Sequence, residues 1–394
     1  MHILVFLDQS PHSLGGVQAS VLLQQKYLEK AGHMVTLVAP ASSADPVSTP
    51  GCIVYPSFAL TPNREYTATA NLGKAYQHVL NELAALRVKV DVVHVQADWW
   101  GALLGAGFAR RQNLPLVNTL HTNLTTGAAK VVGALGASFL YLLHSEVFGR
   151  WVLGRPGCIT ADGWKYLRLI TSTAHTVIAP SAHFAQLAKE KHVAQELVII
   201  PTGVDDDSIV VNPDASKREG VTFAWSGRFS HEKRVMEFLE ALRLANLPAK
   251  ARIYGSGALE KKMRRFIASS GMADRVTIVG RVSHQQMIQE LAQAQALVQT
   301  SIGFETQGMT VFEAGVVGTP SVLCDWNIAE ELPDGSFWKT SDDTVESLAA
   351  AITEAYNDLS EGSGKRINLS STMLQSQLFA KSLGVYQKAI AEHS

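Results

Sequence analysis

Two carboxylates, Glu305 and Glu313, lie eight residues apart in the stretch Ser301 to Gly318, SIGFETQGMTVFEAGVVG. Glu305 precedes Gly308 in a loop that leaves the apolar run Ala296 to Ser301, and Glu313 lies inside the helix that Met309, Val311 and Phe312 begin. The first amides of a helix have no partner within it, so those near Gly308 and Met309 can hold an anion with an acid on either side. A phosphate flanked by hydroxyl-bearing rings, as in a nucleotide sugar, would satisfy all three groups. Upstream, Ala224 to Glu232 reads AWSGRFSHE and continues as KRVMEFLEALRLA, a strand that breaks at Gly227 and restarts as a helix with Val235, Phe238, Leu239 and Leu242 on one face. Arg228 and Lys233 flank that turn, and a fixed guanidinium fork beside a mobile ammonium suits two neighbouring phosphates. Taken alone, the acids read equally as a loop acid and a solvated helix acid, and the cations as surface charge.

These residues need elements to position them. Short runs apolar on both faces alternate with helical stretches: Ile3 to Leu7, Met34 to Ala39, Val90 to Val95, Leu114 to Leu120, His175 to Ala179 and Leu197 to Ile200, then Val221 to Trp225, Ala251 to Tyr254, Arg275 to Val279, Ala296 to Thr300 and Pro320 to Cys324. Such runs are what parallel strands covered by helices need, so the chain predicts an α/β protein with two doubly wound sheets. The polar, turn-forming stretch Pro201 to Gly220 reads as the linker, dividing a first domain at 1–205 from a second at 206–372, with a C-terminal helix at 373–394. Gly15 and Gly16 follow the first strand, where backbone amides can approach a phosphate or simply turn. They do not form a dinucleotide fingerprint. His121, in NTLHTN after the fourth strand, sits at the carboxyl end where open α/β sheets bind ligands, and equally suits a structural hydrogen bond.

Composition excludes some partners. The chain has 394 residues, enough for two cores, and a formal net charge of -1, which gives no reason to expect nucleic-acid binding. Three scattered cysteines form neither a disulfide framework nor a metal site, and no signal-peptide pattern opens the chain, so a reducing cytoplasm is expected. Within 124–169, Val131 to Leu143 is almost wholly apolar and is followed by Arg150, Trp151, Arg155, Trp164, Lys165 and Arg168. It is too short to span a bilayer and reads either as a buried helix or as a face that meets lipid, at the inner side of the cell membrane. Trp99 and Trp100 could stack on an acceptor sugar or fill the domain wall. Asp205, Asp206 and Asp207 contain a D-x-D pattern, but in the linker, and no metal is expected there.

In order and spacing, Gly227-Arg228 with Glu232-Lys233, and Glu305 to Glu313, resemble the G-R-x-x-x-E-K and E-x7-E elements of the retaining glycosyltransferase family 4 (GT4). Gly15-Gly16, His121, APS at Ala179 to Ser181, PTGVD at Pro201 to Asp205, YGSG at Tyr254 to Gly257 and VGRV at Val279 to Val282 extend the resemblance over most of the chain. It implies the GT-B fold, two Rossmann-like domains facing each other across a cleft, and a retaining, metal-independent hexosyltransferase with no cofactor beyond its UDP- or GDP-sugar donor. Arg228, Lys233 and the Gly308, Met309 and Thr310 amides are then expected to stabilise the departing diphosphate, which Gly15 and Gly16 would also face. Glu313 would bind the ribose, Glu305 and His121 the transferred sugar, and the backbone at Arg281 and Val282 the base. Gln307 brings an amide where many members have an aromatic ring. LHTN paired with ETQG resembles the glycolipid-forming branch, typified by diacylglycerol glucosyltransferases, so a lipid-linked or sugar acceptor is expected near Trp99, Trp100 and Asn123. A soluble acceptor, or nucleotide-sugar binding without transfer, is the alternative.

Overall fold

The computed structural model describes residues 1–13, 15–41, 51–60, 67–209 and 220–393, with the side chains of 126–132 excepted. Leu14 of the glycine turn, 210–219 of the expected linker and the side chains of Val131 and Val132 lie outside that description. The chain forms two compact units, Met1–Thr202 with Leu378–Ser394, and Gly203–Gln377. The division falls at Thr202 and Gly203, slightly before the expected boundary, and the first unit regains the chain at Leu378.

The first unit contains β1 (His2–Leu7), β2 (Met34–Pro40), β3 (Cys52–Tyr55), β4 (Phe58–Ala59), β5 (Thr67–Ala68), β6 (Val92–Gln96), β7 (Leu116–Thr119), β8 (Thr176–Ala179) and β9 (Val198–Ile199). Seven of them form one sheet in the order β3-β2-β1-β6-β7-β8-β9, parallel throughout, while β4 and β5 pair antiparallel by themselves. Alternation within β1 shows how the sheet is covered. Leu4 and Phe6 enter one buried cluster with Phe108, Tyr166 and Phe184, and Ile3, Val5 and Leu7 enter another with Leu28, Val385, Tyr386 and Ala389.

The second unit contains β10 (Thr222–Ser226), β11 (Lys250–Tyr254), β12 (Val276–Gly280), β13 (Ala296–Gln299), β14 (Ser321–Leu323) and β15 (Phe337–Lys339), parallel in the order β12-β11-β10-β13-β14-β15. Phe223 and Trp225 pack with Phe238, Leu239 and Trp338 on one face of this sheet, and Ala224 with Ile288, Leu291 and Phe312 on the other.

In each sheet the strand order reverses once, between β1 and β6 and between β10 and β13. A crevice opens at the carboxyl ends of the strands at such a switch point, because the connections depart in opposite directions there. Gly15 and Gly16 follow β1, Trp99 and Trp100 follow β6, Arg228 and Lys233 follow β10, and Glu305 follows β13.

Candidate functional site

In the second unit, β10 leads through Gly227 and Arg228 into a short 3-10 turn, His231–Lys233, and Arg234 at φ 54 opens the helix Val235–Ala245. The expected apolar face of that helix, Val235, Phe238, Leu239 and Leu242, is buried. The Trp225 indole N–H donates to Thr300 Oγ1 at 2.9 Å, and the Thr300 hydroxyl donates to the Lys233 carbonyl, so the turn is tied to the end of β13. Glu305 rises from the loop after β13. Its Oε1 pairs with Lys233 Nζ and accepts the Ser301 hydroxyl at 2.8 Å, and the ammonium lies 5.2 Å from the centre of the Phe304 ring. Lys233 and Glu305 are thus in direct contact. Arg228 is exposed at the mouth of the same turn.

Gly308, at φ 79, precedes the helix Met309–Val316, which has no side-chain cap on its first amides. Gln307 and Gly308 are buried, while Met309 and Thr310 are half-buried on the first turn. Glu313, with 9 % of its side chain exposed, accepts from His284 Nε2 at 2.8 Å. His284 begins the helix His284–Gln293, whose capping box of Ser283 and Gln286 fixes its start three residues beyond Arg281 and two beyond Val282. Sequence reasoning missed His284. The serine and glutamine of the capping box were the available signal for where the helix starts, but nothing in the sequence says which acid the histidine meets.

The hydrogen bond to Glu313 and the charge of that acid hold the His284 pKa above its ordinary value, against the opposing effect of burial. A histidine with a raised folded pKa stabilises fully below its unfolded value, about 6.5, and loses that contribution as pH rises through the folded value. Replacing His284 with Gln should therefore lower the melting temperature more at about pH 5.5 than at about pH 8.5. Equal losses in thermal scans at the two pH values would show that the pair carries no charge.

In the first unit, His121 Nε2 lies 2.8 Å from Gln96 Oε1, and burial pushes the imidazole down to about 4, so it is neutral. Gly15 caps the helix Gly16–Lys30 without a side-chain bond, and both glycines are exposed. Trp99 stacks on Tyr141 and Tyr166 at 5.8 and 5.6 Å and meets His144 edge-on, while Trp100 lies 4.6 Å from His144. Both tryptophans therefore build the domain wall. Asn123 precedes the helix Leu124–Phe148 and accepts from the Thr125 hydroxyl at 2.7 Å.

Two acids here were not singled out from the sequence. The Asp8 carboxylate accepts from the backbone N–H groups of Asp98, Trp99 and Gly101 at 2.6, 2.9 and 2.8 Å, fixing the start of the helix Trp100–Gln112. Burial, with Asp8 adding to it, pushes the Asp98 carboxyl, at the carboxyl end of β6, up to about 7. The D-x-D segment serves the backbone: Asp205 accepts from Asp207 N–H at 3.3 Å, and Asp206 from Ser376 N–H at 3.1 Å.

The helix Leu124–Phe148 kinks at Gly133. Beyond the kink one face of it is buried and another is exposed. Ala137, Tyr141, His144 and Phe148 are buried, while Leu135 is 89 % and Phe139 63 % exposed, with Leu142 and Leu143 continuing that apolar face at helical spacing. Among the described residues no helix is long and apolar enough to cross a membrane.

Residues 14–208 match Glycosyltransferase Family 4, and residues 212–367 match Glycosyl transferases group 1. The chain is 27% identical over 334 residues (78% of this chain, 74% of the relative) to a 2-deoxystreptamine N-acetyl-D-glucosaminyltransferase of Streptomyces fradiae. It is 23% identical over 342 residues (82% and 70%) to an alpha-monoglucosyldiacylglycerol synthase of Streptococcus pneumoniae. Among solved structures, Anabaena HepE in complex with UDP and glucose matches with a TM-score of 0.71 at 16% identity, over 98% of this chain and 100% of that one. Two Rossmann-like parallel sheets and the two family matches, which between them span most of the sequence, establish that the chain belongs to the family 4 glycosyltransferases of GT-B fold.

Proposed function

We propose that the chain transfers a hexose, with retention of configuration and without a metal, from a UDP-sugar to a hydroxyl of a glycolipid or cell-envelope precursor at the cytoplasmic face of a membrane. The observation that carries this reading is the pair of acids set around one helix start at the switch point of the second unit, each already held by a cation or cation-forming group: Glu305 by Lys233 and Glu313 by His284. On this reading Arg228, Lys233 and the first amides of the helix Met309–Val316 carry the diphosphate charge, so that no divalent ion is required of the site. Glu313 accepts the ribose hydroxyls and Glu305 those of the sugar, with the backbone at Arg281 and Val282 against the base. The choice of UDP over GDP rests on the UDP bound in the HepE structure.

Calorimetric titration with UDP, GDP and ADP, with and without magnesium, tests the donor. UDP should bind without magnesium, and Arg228→Ala should weaken it. Glu313→Ala should cost about 10- to 100-fold in UDP affinity, the range for hydrogen bonds to a charged acceptor. Glu305→Ala should leave free UDP nearly untouched and damage use of the UDP-sugar. Equal loss of UDP affinity in both glutamate variants would sink the division of roles.

For the acceptor, the exposed face of Leu135, Phe139, Leu142 and Leu143 supports a lipid surface, as does the likeness to a diacylglycerol glycoside synthase. Because Phe139 and Leu142 protrude, the double change to Ser should spare folding and UDP affinity. It should reduce co-sedimentation with anionic liposomes by about tenfold or more, since each inserted side chain contributes about 1.5–3 kcal/mol. The aminocyclitol-modifying relative supports a second reading, a soluble small-molecule acceptor. Transfer to such an acceptor with no liposome binding by the unaltered protein would select it.

A further inference from the structure

We infer that Gln96 is a positioning residue that fixes the tautomer of His121, as one link in a hydrogen-bond chain whose donors all point the same way and which passes through the C-terminal helix. The direction follows from the orientations of the Gln24 and Gln96 amides. Gln24 Nε2 can only donate, and it lies 3.0 Å from the Tyr386 hydroxyl, so that oxygen accepts from it. The Tyr386 proton then goes to His94 Nδ1 at 2.8 Å, which leaves His94 with its proton on Nε2, donated to Thr119 Oγ1 at 2.7 Å. On the other side, Gln96 Nε2 donates to Gln24 Oε1 at 2.6 Å. That orientation turns Gln96 Oε1, an acceptor only, toward His121, so the 2.8 Å bond is donated by His121 Nε2–H. The order is His121 to Gln96 to Gln24 to Tyr386 to His94 to Thr119. The second proton of the Gln96 amide leans on His94 Nδ1 at 3.4 Å and ties the two histidines to one amide.

Gln96, His94 and Thr119 are buried, and Tyr386 is fully so. A buried polar chain of this kind stabilises one arrangement only while every member is satisfied, and turning one amide would leave two like groups facing each other at each end. Burial also keeps both imidazoles neutral, so the ring nitrogens cannot both be donors. His121 is therefore held with Nδ1 as its lone-pair nitrogen, an acceptor for a hydroxyl and not a donor to one. What that hydroxyl belongs to rests on the transferase reading; the tautomer does not.

The test uses the full chain labelled with 15N-histidine, read at about pH 7 by long-range proton–nitrogen correlation, which separates Nε2–H from Nδ1–H rings. Both His94 and His121 should be Nε2–H. Gln96→Leu should convert His121 to a mixture of tautomers, whereas Gln96→Glu, which still accepts, should restore the Nε2–H signature. Tyr386→Phe should shift the nitrogens of His94 and, through Gln24 and Gln96, those of His121. In assays with UDP-glucose, Gln96→Leu should lower kcat by about tenfold, the loss of one net hydrogen bond, with KM for the donor little changed. An Nδ1–H ring at His121 in the unaltered protein overturns the inference without any variant, and so do unchanged His121 shifts in Gln96→Leu. A protein that shows the Nε2–H signature but neither binds UDP nor turns over UDP-glucose would instead refute the transferase reading.

Discussion

Lys233→Ala is expected to lower the rate of transfer by about 10²- to 10³-fold, the loss typical of removing one group aimed at charge that develops in the transition state. The ammonium is fixed before any donor arrives: its own carbonyl accepts the Thr300 hydroxyl, its tip pairs with Glu305, and the Phe304 ring lies beneath it. On the proposed reading its loss would remove a cation from the leaving diphosphate and would also take from Glu305 the cation that pairs with it. The two effects share one contact, so Lys233→Ala and Glu305→Gln should not add. A double-mutant cycle on kcat/KM should give a coupling of about 0.5–3 kcal/mol, as for residues in direct contact. Strictly additive losses would mean that the pair forms only in the absence of donor and that each side chain acts separately.

Gly255→Ala should be the most damaging small substitution in the second unit. At φ 130, Gly255 lies so close to the turn after β10 that a Cβ would sit 1.9 Å from the Gly227 carbonyl oxygen. The two nearest atoms, the Gly227 carbonyl oxygen and carbon, are backbone and cannot swing away as a side chain could, so the backbone of the Gly227 to Phe229 turn must move. The cost should be about 3 kcal/mol or more, which for a unit of this size lowers the melting temperature by about 6–12 °C, with loss of UDP binding. Gly271→Ala separates this clash from strain alone. Gly271 has φ 66 and nothing within 4 Å of its hypothetical Cβ, so only the left-handed penalty of about 1–2 kcal/mol applies, with UDP affinity intact. Comparable melting losses and preserved UDP binding in both variants would show that the turn can yield.

What the sequence made legible follows the physics of burial. Strands such as Ile3 to Leu7 and Val221 to Trp225 are covered on both faces and therefore read as unbroken apolar runs, and each was recognisable. The edge strand β3, with Cys52 and Val54 half-buried, and β15, with Lys339 exposed, are not continuous runs and were not anticipated. The acids and cations of the second unit were legible because they lie close in sequence on either side of one turn or one helix start. The partner of Glu313 was not, since His284 lies 29 residues away and meets it only through the packing of two helices. The chain that orients His121 was less legible still: Gln24, Gln96 and Tyr386 come from three elements, and no periodicity in any one of them encodes the other two. Trp99 and Trp100 show the opposite difficulty. Their types suggested sugar stacking, but Tyr141 and Tyr166 stack on Trp99, and His144 lies against both tryptophans.

The first unit is assembled from two stretches of chain separated by the whole of the second, and this gives its synthesis a timetable. When Thr202 has been made, one face of the first sheet, with Ile3, Val5, Leu37 and Val117, still lacks Val385, Tyr386 and Ala389. At the usual pace of translation that face waits roughly 10 to 35 s for its cover. During that interval the part of the face beside Val21 and Leu28 that Val385, Tyr386 and Ala389 will cover stays in water, a surface that chaperones bind and that neighbouring nascent chains can aggregate upon. The helix that carries Tyr386 therefore both closes this core and completes the alignment of His121, so a molecule released before Tyr386 is added would be unfinished in its packing and in its chemistry at once.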